Sequence, residues 1–316
     1  MHTLHKYGSK IFLVVFTFLF AGLYAQADET SIKIQTSDKD QSVIKFQLPE
    51  YGFVKHTRSN ANYFHIDIEG YFPNLQAGAP ELPVLRKLIS VPADAEIDVR
   101  LSNAKYEEVA LKQRGIEEKM YPHQPSQFKN ESPREFVQNK EVYQADEFYG
   151  LEPVDASYLG ISRDVALARL SISPFEYNPV NNVLRVLKSA KITVEYSNVD
   201  NQKSYELTQK GASSYFNANK AGVLNAGGYK DSLTTTPAKY VIISDTMFEN
   251  SLQPLVKWKT QKGFLVEEAY VSNPAVGNTS SSIRSYLQQQ YNNATPNDPA
   301  PVFVLIVGDI AQVPSF

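Results

Sequence analysis

The feature that most constrains this chain is a change in hydrophobic period near residue 238. Between about Ser31 and Ser197, short stretches alternate apolar and polar residues: Ser42–Leu48, Tyr63–Glu69, Ala95–Leu101 and Ala190–Tyr196. Such alternation places one face of a strand in a core. Gly78-Ala-Pro80, Pro83, Pro92, Pro174 and Asn178-Pro179 punctuate the strands with turns. Residues 28–200 therefore read as a β-rich, antiparallel, sandwich-like domain. Within it, the stretch from Met120 to about Gly150 holds Pro122, Pro125 and Pro133 without periodicity. It reads as a long loop, and long loops in compact domains carry function or disorder.

From Ala238 the pattern is different. Lys239-Tyr-Val-Ile-Ile-Ser244 is continuously apolar, the mark of a strand covered on both faces. Leu252, Leu255 and Val256 follow at helical spacing, with Ser251 placed as a cap, Pro254 in the first turn and Gly263 just past the end. A second strand starts at Phe264, a second helix at Thr279 with Ile283, Tyr286, Leu287 and Tyr291 on one face, and a third strand at Val302. Residues 238–316 thus form the βαβαβ opening of a parallel α/β sheet. Between the two regions, residues 201–237 carry Gly211-Ala-Ser-Ser, Gly227-Gly and Thr234-Thr-Thr-Pro237, and read as a flexible linker.

The first 27 residues set the compartment. His5, Lys6 and Lys10 precede the apolar run Ile11–Tyr24, which ends at Ala25-Gln26-Ala27. At about fourteen residues the run is too short to span a bilayer, but suits a secretory leader cut after Ala25 or Ala27. No later stretch is long and apolar enough for a membrane span. The expected localisation is export, through the periplasm to the medium or cell surface. The net charge of −3 comes without a block of one sign, which argues against nucleic acid as a partner. Cysteine is absent, so the domains stand without disulfides and no thiol nucleophile is present.

Motifs for chemistry are sparse. Asp245 and Asp309 end the first and third parallel strands, the edge where α/β sheets gather ligands, although an aspartate there more often caps a turn. His56, His65 and His123 have no partner at metal-ligand spacing, and no His-Glu-x-x-His, Gly-x-Ser-x-Gly or phosphate loop occurs. The residues themselves assemble no catalytic constellation and indicate no metal or cofactor.

The C-terminal segment resembles the gingipain family of secreted cysteine peptidases. The resemblance is carried by Lys239–Ile243, Leu255–Phe264, Ile283–Leu287 and Val304–Pro314, in that order. Gly78–Pro83, Ile89–Pro92, Tyr121-Pro122 and Pro174–Pro179 look like the propeptide of that family. The resemblance implies a zymogen of a cysteine endopeptidase whose catalytic domain is caspase-like. It places the catalytic His and Cys beyond Phe316, so the chain as given is expected to be an inactive portion. It also implies protein or peptide substrates, a propeptide–catalytic domain contact, and possible calcium sites. A basic side chain from the propeptide is expected in the specificity pocket, with Lys129 and Arg134 as candidates, and a processing cut is expected in the linker at exposed Lys220 or Lys230. The alternatives are a secretion-system sortase or signal-cleaving peptidase of the same family, and a non-catalytic inhibitor or binding module.

Overall fold

In a computed structural model the described residues are 31–58, 61–130, 135–211, 213, 215–216, 220–226, 237–295 and 297–314. The strands of the first region are β1 (Ile32–Ser37), β2 (Gln41–Gln47), β3 (Gly52–Arg58), β4 (Ala61–Asp67), β5 (Tyr71–Pro73), β6 (Pro83–Val91), β7 (Glu96–Ala110) and β8 (Lys119–Met120). After the short helix α1 (Lys140–Gln144) come β9 (Val154–Ser162), β10 (Val165–Ile172), β11 (Phe175–Asn178) and β12 (Val183–Ser197). Helix α2 (Asn201–Gly211) leads to β13 (Lys239–Ser244), α3 (Glu249–Gln261), β14 (Leu265–Tyr270), α4 (Ser280–Asn292) and β15 (Pro301–Val307).

The β-rich region forms three sheets around one core rather than a two-layer sandwich. The first sheet runs β1-β2-β12-β11, with β7 on the other side of β12; the second runs β5-β6-β10-β9, and the third β3-β4-β8. Pairing is antiparallel except between β4 and β8. Alternation explains the core. Ile44 and Phe46 of β2, Phe64 and Ile66 of β4, Ile89 of β6, Leu170 of β10 and Leu184, Val186, Ile192 and Val194 of β12 all point into the same apolar cluster. Strand β7 is longer than the alternating stretch suggests because it continues past Asn103 to follow β12 as far as Ala110.

Three parallel strands in the order β14-β13-β15 form the last sheet. Val241, Ile242 and Ile243 of the central strand are fully buried. Helix α4 lays Ile283, Tyr286 and Leu287 on the Val241/Ile243 face. Lys259 of α3 sits over the ring of Tyr240, whose side chain points to the other face. Thr279 caps α4 in a reciprocal box with Ser282.

Two expectations for helices are corrected. Residues 201–211 are helical, not a flexible linker: the Asp200 side chain accepts from the Lys203 N–H, and Gln202–Glu206 and Glu206–Lys210 pair one turn apart. Helix α3 starts before Ser251, because Asp245 caps a 3-10 turn at Thr246–Phe248 that runs straight into Glu249. Pro254 consequently lies in the second turn, where it leaves the Asn250 carbonyl without its helical donor.

Candidate functional site: a braced loop and a sheet edge

The strand order places a topological switch at β13, since the chain goes to one side for β14 and to the other for β15. The carboxyl ends of β13 and β15 border the crevice where such sheets bind ligands. Asp245 and Asp309 both lie there, and both are engaged in turns. Asp245 accepts from the Met247 N–H at 2.8 Å. Asp309 accepts from the Ile310 N–H at 2.7 Å, while its own N–H donates to the Gln312 Oε1 at 2.9 Å. Gly308, at φ 138°, makes this turn possible; a Cβ there would stand 2.8 Å from Gln312 Cβ. The described histidines all lie elsewhere. The edge therefore has a shape suited to a site, and these two aspartates form its turns.

The second candidate is the proline-rich loop, which is tightly closed at its neck. The Gln124 side chain accepts from the Val137 N–H (2.9 Å) and donates to the Val137 carbonyl (2.8 Å), mimicking a backbone pair. Below it, His123 N–H donates to Ala79 O, Gly78 N–H to His123 O and Asn139 N–H to Gly78 O, at 2.7–2.8 Å. Gly78 has φ 79°, and a Cβ there would lie 2.9 Å from the Asn139 nitrogen. Only glycine fits this crossing. Phe136 packs on Tyr63 and Tyr121, and Tyr143 of α1 donates to the Met120 carbonyl at 2.7 Å. Above this neck Phe128 is 75% exposed and Lys129 is exposed beside it. Arg134, Ala25, Ala27 and Lys230 lie outside the described residues.

At the root of the loop the structure collects the three described histidines. The Glu81 carboxylate meets His65 Nδ1 at 3.2 Å through one oxygen and His123 Nδ1 at 3.0 Å through the other. His56 lies edge-on to His65, and both rings contact Tyr121. Burial pushes the Glu81 carboxyl up, but the two imidazoles outweigh it and hold the group below the usual carboxylate range. Sequence reasoning missed this cluster. The one signal available was hairpin register: His56 opposes Tyr63, which puts His56 diagonally beside His65 on the outward face. Among the described residues no group of three His, Asp or Glu side chains could hold a metal ion.

Lys220 is corrected as an exposed processing candidate. Its side chain is only 8% exposed and is ion-paired with Asp164, itself 6% exposed. The following residues are also docked. Val223 bridges Leu88, and the Asn225 amide grips Ser90 by accepting from its N–H (2.6 Å) and donating to its carbonyl (2.7 Å). A protease needs an extended, accessible backbone, so this stretch resists cutting while it stays docked.

These features define a class: a closed β-rich domain that presents a braced loop, joined to the opening of a parallel α/β domain. Residues 25–223 match the family described as Propeptide_C25, and residues 233–316 match Peptidase family C25. The chain belongs to the gingipain family as a propeptide with part of the C25 peptidase domain, the zymogen portion of a cysteine-peptidase-family protein. It is 32% identical over 310 residues to Lys-gingipain of Porphyromonas gingivalis, covering 95% of this chain and 18% of the relative. Gingipain R1 of the same organism is 27% identical over 248 residues, 76% of this chain and 24% of the relative. The chain thus spans about a fifth of the length of these relatives. A solved structure addressing the zymogenic latency of gingipain K superposes with a TM-score of 0.50 at 33% identity, covering 54% of this chain and 95% of that one. The complex of RgpB pro- and mature domains gives 0.51 at 19% identity, covering 62% and 98%, a likeness of fold. The propeptide match runs through α2 to Val223, past residue 200. Among the described residues no helix is long and apolar enough to cross a membrane.

Proposed function

We propose that this chain is the exported, latency-bearing front of a cysteine endopeptidase and that its braced loop is the inhibitory element. The carrying observation is the neck: Gln124–Val137, Gly78–Asn139 and the Glu81 pair hold the base rigid, while Lys129 stands exposed above it. A loop whose ends are fixed loses little entropy on entering a cleft, the condition for tight inhibition. Lys129 supplies the cation for an acidic specificity pocket, with Arg134 as the second candidate. The similarity to Lys-gingipain favours a lysine-selective pocket.

In this reading residues 1–27 direct export to the periplasm and then to the surface or medium, and leave after Ala25 or Ala27. The α/β segment opens a caspase-like domain. The chain by itself hydrolyses nothing, because its 316 residues contain no cysteine to form the thiolate nucleophile. Processing falls within the segment that follows the docked residues, with Lys230 as the remaining basic candidate.

The test adds residues 28–316 to an active Lys-gingipain and measures inhibition of peptide hydrolysis. Lys129→Ala should weaken inhibition by on the order of a hundredfold, the cost of leaving a pocket charge unpaired. Equal inhibition by the parent, Lys129→Ala and Arg134→Ala chains would overturn the assignment of the loop.

A further inference from the structure

Among the described residues, side chains of residues 215–216, of the β9–β10 hairpin and of α2 reach the α/β segment at the amino edge of its sheet. Tyr215 stacks on Phe264 (centroids 5.3 Å apart) and meets Phe303 edge-on at 5.5 Å; Phe216 meets Phe303 at 5.6 Å. Phe264 immediately precedes β14, while Phe303 sits near the start of β15 opposite Tyr240. From the β9–β10 hairpin, Arg163 lays its guanidinium over the Phe216 ring, 3.3 Å from the centroid, and donates to the Val302 carbonyl at 3.1 Å. Lys210, in the last turn of α2, donates to the Asn292 carbonyl at the C-terminus of α4, where a cation complements the helix dipole. The described residues from 31 onward share one compact unit.

The same segment is fastened to the β-rich side at both ends. Gly211 packs so closely on the Arg163–Asp164 turn that a Cβ would stand 2.7 Å from its backbone. At the far end Lys220 is paired with Asp164, Val223 bridges β6 and Asn225 grips Ser90. A break in the chain after Ala226 therefore leaves the aromatic pair on the β-rich piece.

We infer that Tyr215, Phe216 and Arg163 form a docking surface through which the propeptide keeps hold of the amino edge of the catalytic sheet after the connecting chain is cut. The partner it fits is the aromatic edge of Tyr240, Phe264 and Phe303, with the Val302 carbonyl beside it as the acceptor for Arg163. A strand of six residues spans about 20 Å, so this grip is far from the carboxyl edge carrying Asp245 and Asp309. It holds the two pieces together without covering the edge where catalytic groups gather. The inference rests on reading the chain as a processed zymogen, but not on which residue inhibits.

The test uses the 28–316 chain with a specific-protease recognition sequence inserted after Ala226. After complete cutting, the two pieces of the parent should co-elute in gel filtration. Tyr215→Ser with Phe216→Ser should raise their dissociation rate at least about tenfold, as expected for aromatic side chains that carry a contact. Arg163→Asn should act in the same direction, and it keeps the turn, because Arg163 sits at φ 57° where Asn is tolerated. Val180→Ala, in the exposed turn between β11 and β12, should leave dissociation unchanged. Immediate separation of the cut parent, or an unchanged rate in both the aromatic and the Arg163 variants, would overturn the docking surface. Inhibition through Lys129 is read in a separate assay, so either idea can fail alone.

Discussion

The β-rich region and the α/β segment bury their apolar residues in different ways. Residues of β2, β4, β6, β10 and β12 share one core in which Ile44, Phe46, Phe64, Ile89, Val186 and Ile192 are fully buried. The parallel sheet buries Val241, Ile242 and Ile243, yet Val304 and Ile306 of β15 are 44% and 59% exposed. Ile306 lines a groove of about 670 Å³ between α4 and the residues around Val313. Where the first region relies on apolar packing, the second adds an ionic cluster. Lys239, 2% exposed, is 2.7 Å from both Glu267 and Asp298 and donates to Gln290. Burial alone would lower the Lys239 pKa, but the Asp298 and Glu267 carboxylates raise it above its ordinary value. A packed core resists solvent everywhere at once, whereas a cluster of charges depends on each partner and on pH.

The comparison breaks most easily at Phe46. Removing a fully buried aromatic leaves a cavity, and Phe46→Ala should cost about 3–5 kcal/mol in urea unfolding followed by far-UV CD. If the loss is below about 1 kcal/mol, the three sheets do not share one core. Lys239→Met should cost less, about 2 kcal/mol, because Asp298 is largely solvated and Glu267 partly so. Its signature should be local, with faster amide exchange in β13 and β14 and little change in β2 or β12. The pH sign follows from the raised Lys239 value. Its contribution is full below the ordinary lysine pKa of about 10.4 and disappears as pH rises through the higher folded value. Uniformly faster exchange in both regions would show that they unfold as one body.

The same contrast explains what was legible in the sequence. Alternation located β2, β4, β12 and the first half of β7, and the change of period located β13, α4 and β15. Those signals depend only on which face of an element is covered. Helix α2 was illegible because it buries no residue, so no apolar stripe marks it. Its evidence is side-chain hydrogen bonding from Asp200, Gln202 and Glu206, which in sequence looks like an ordinary polar linker. Lys220 was misjudged for a related reason: its partner Asp164 is 56 residues away, and a lone lysine reads as exposed. The sheet edge was legible through Asp245 and Asp309, but not their use as turn formers. At the loop root, Glu81 lies 42 residues from His123, and it is the tertiary backbone bridge between Pro80 and Pro122 that brings them side by side.

The loop root itself gives the smallest expected effect and the sharpest contrast with the ionic cluster. Glu81 is flanked by His65 and His123, with His56, Tyr121, Tyr63 and Arg58 as the other polar or charged groups near that face. Since its folded pKa is lowered, its contribution is present above the ordinary carboxylate value of about 4.3 and is lost as pH falls through the lower folded value. The Lys239 cluster weakens toward high pH, so the two charge sites fail at opposite ends of the scale. Protection of the loop from limited proteolysis, followed from pH 7 to 3 with an acid-active protease, should drop only below about 4.3 in the parent chain. In Glu81→Gln the amide cannot ionise, so protection should be lower throughout but flat across that acid window. An acid-induced drop of equal size in Glu81→Gln would mean that the histidine–glutamate contacts do not fasten the loop. The backbone ladder through Gly78, His123 and Asn139 would then hold it unaided.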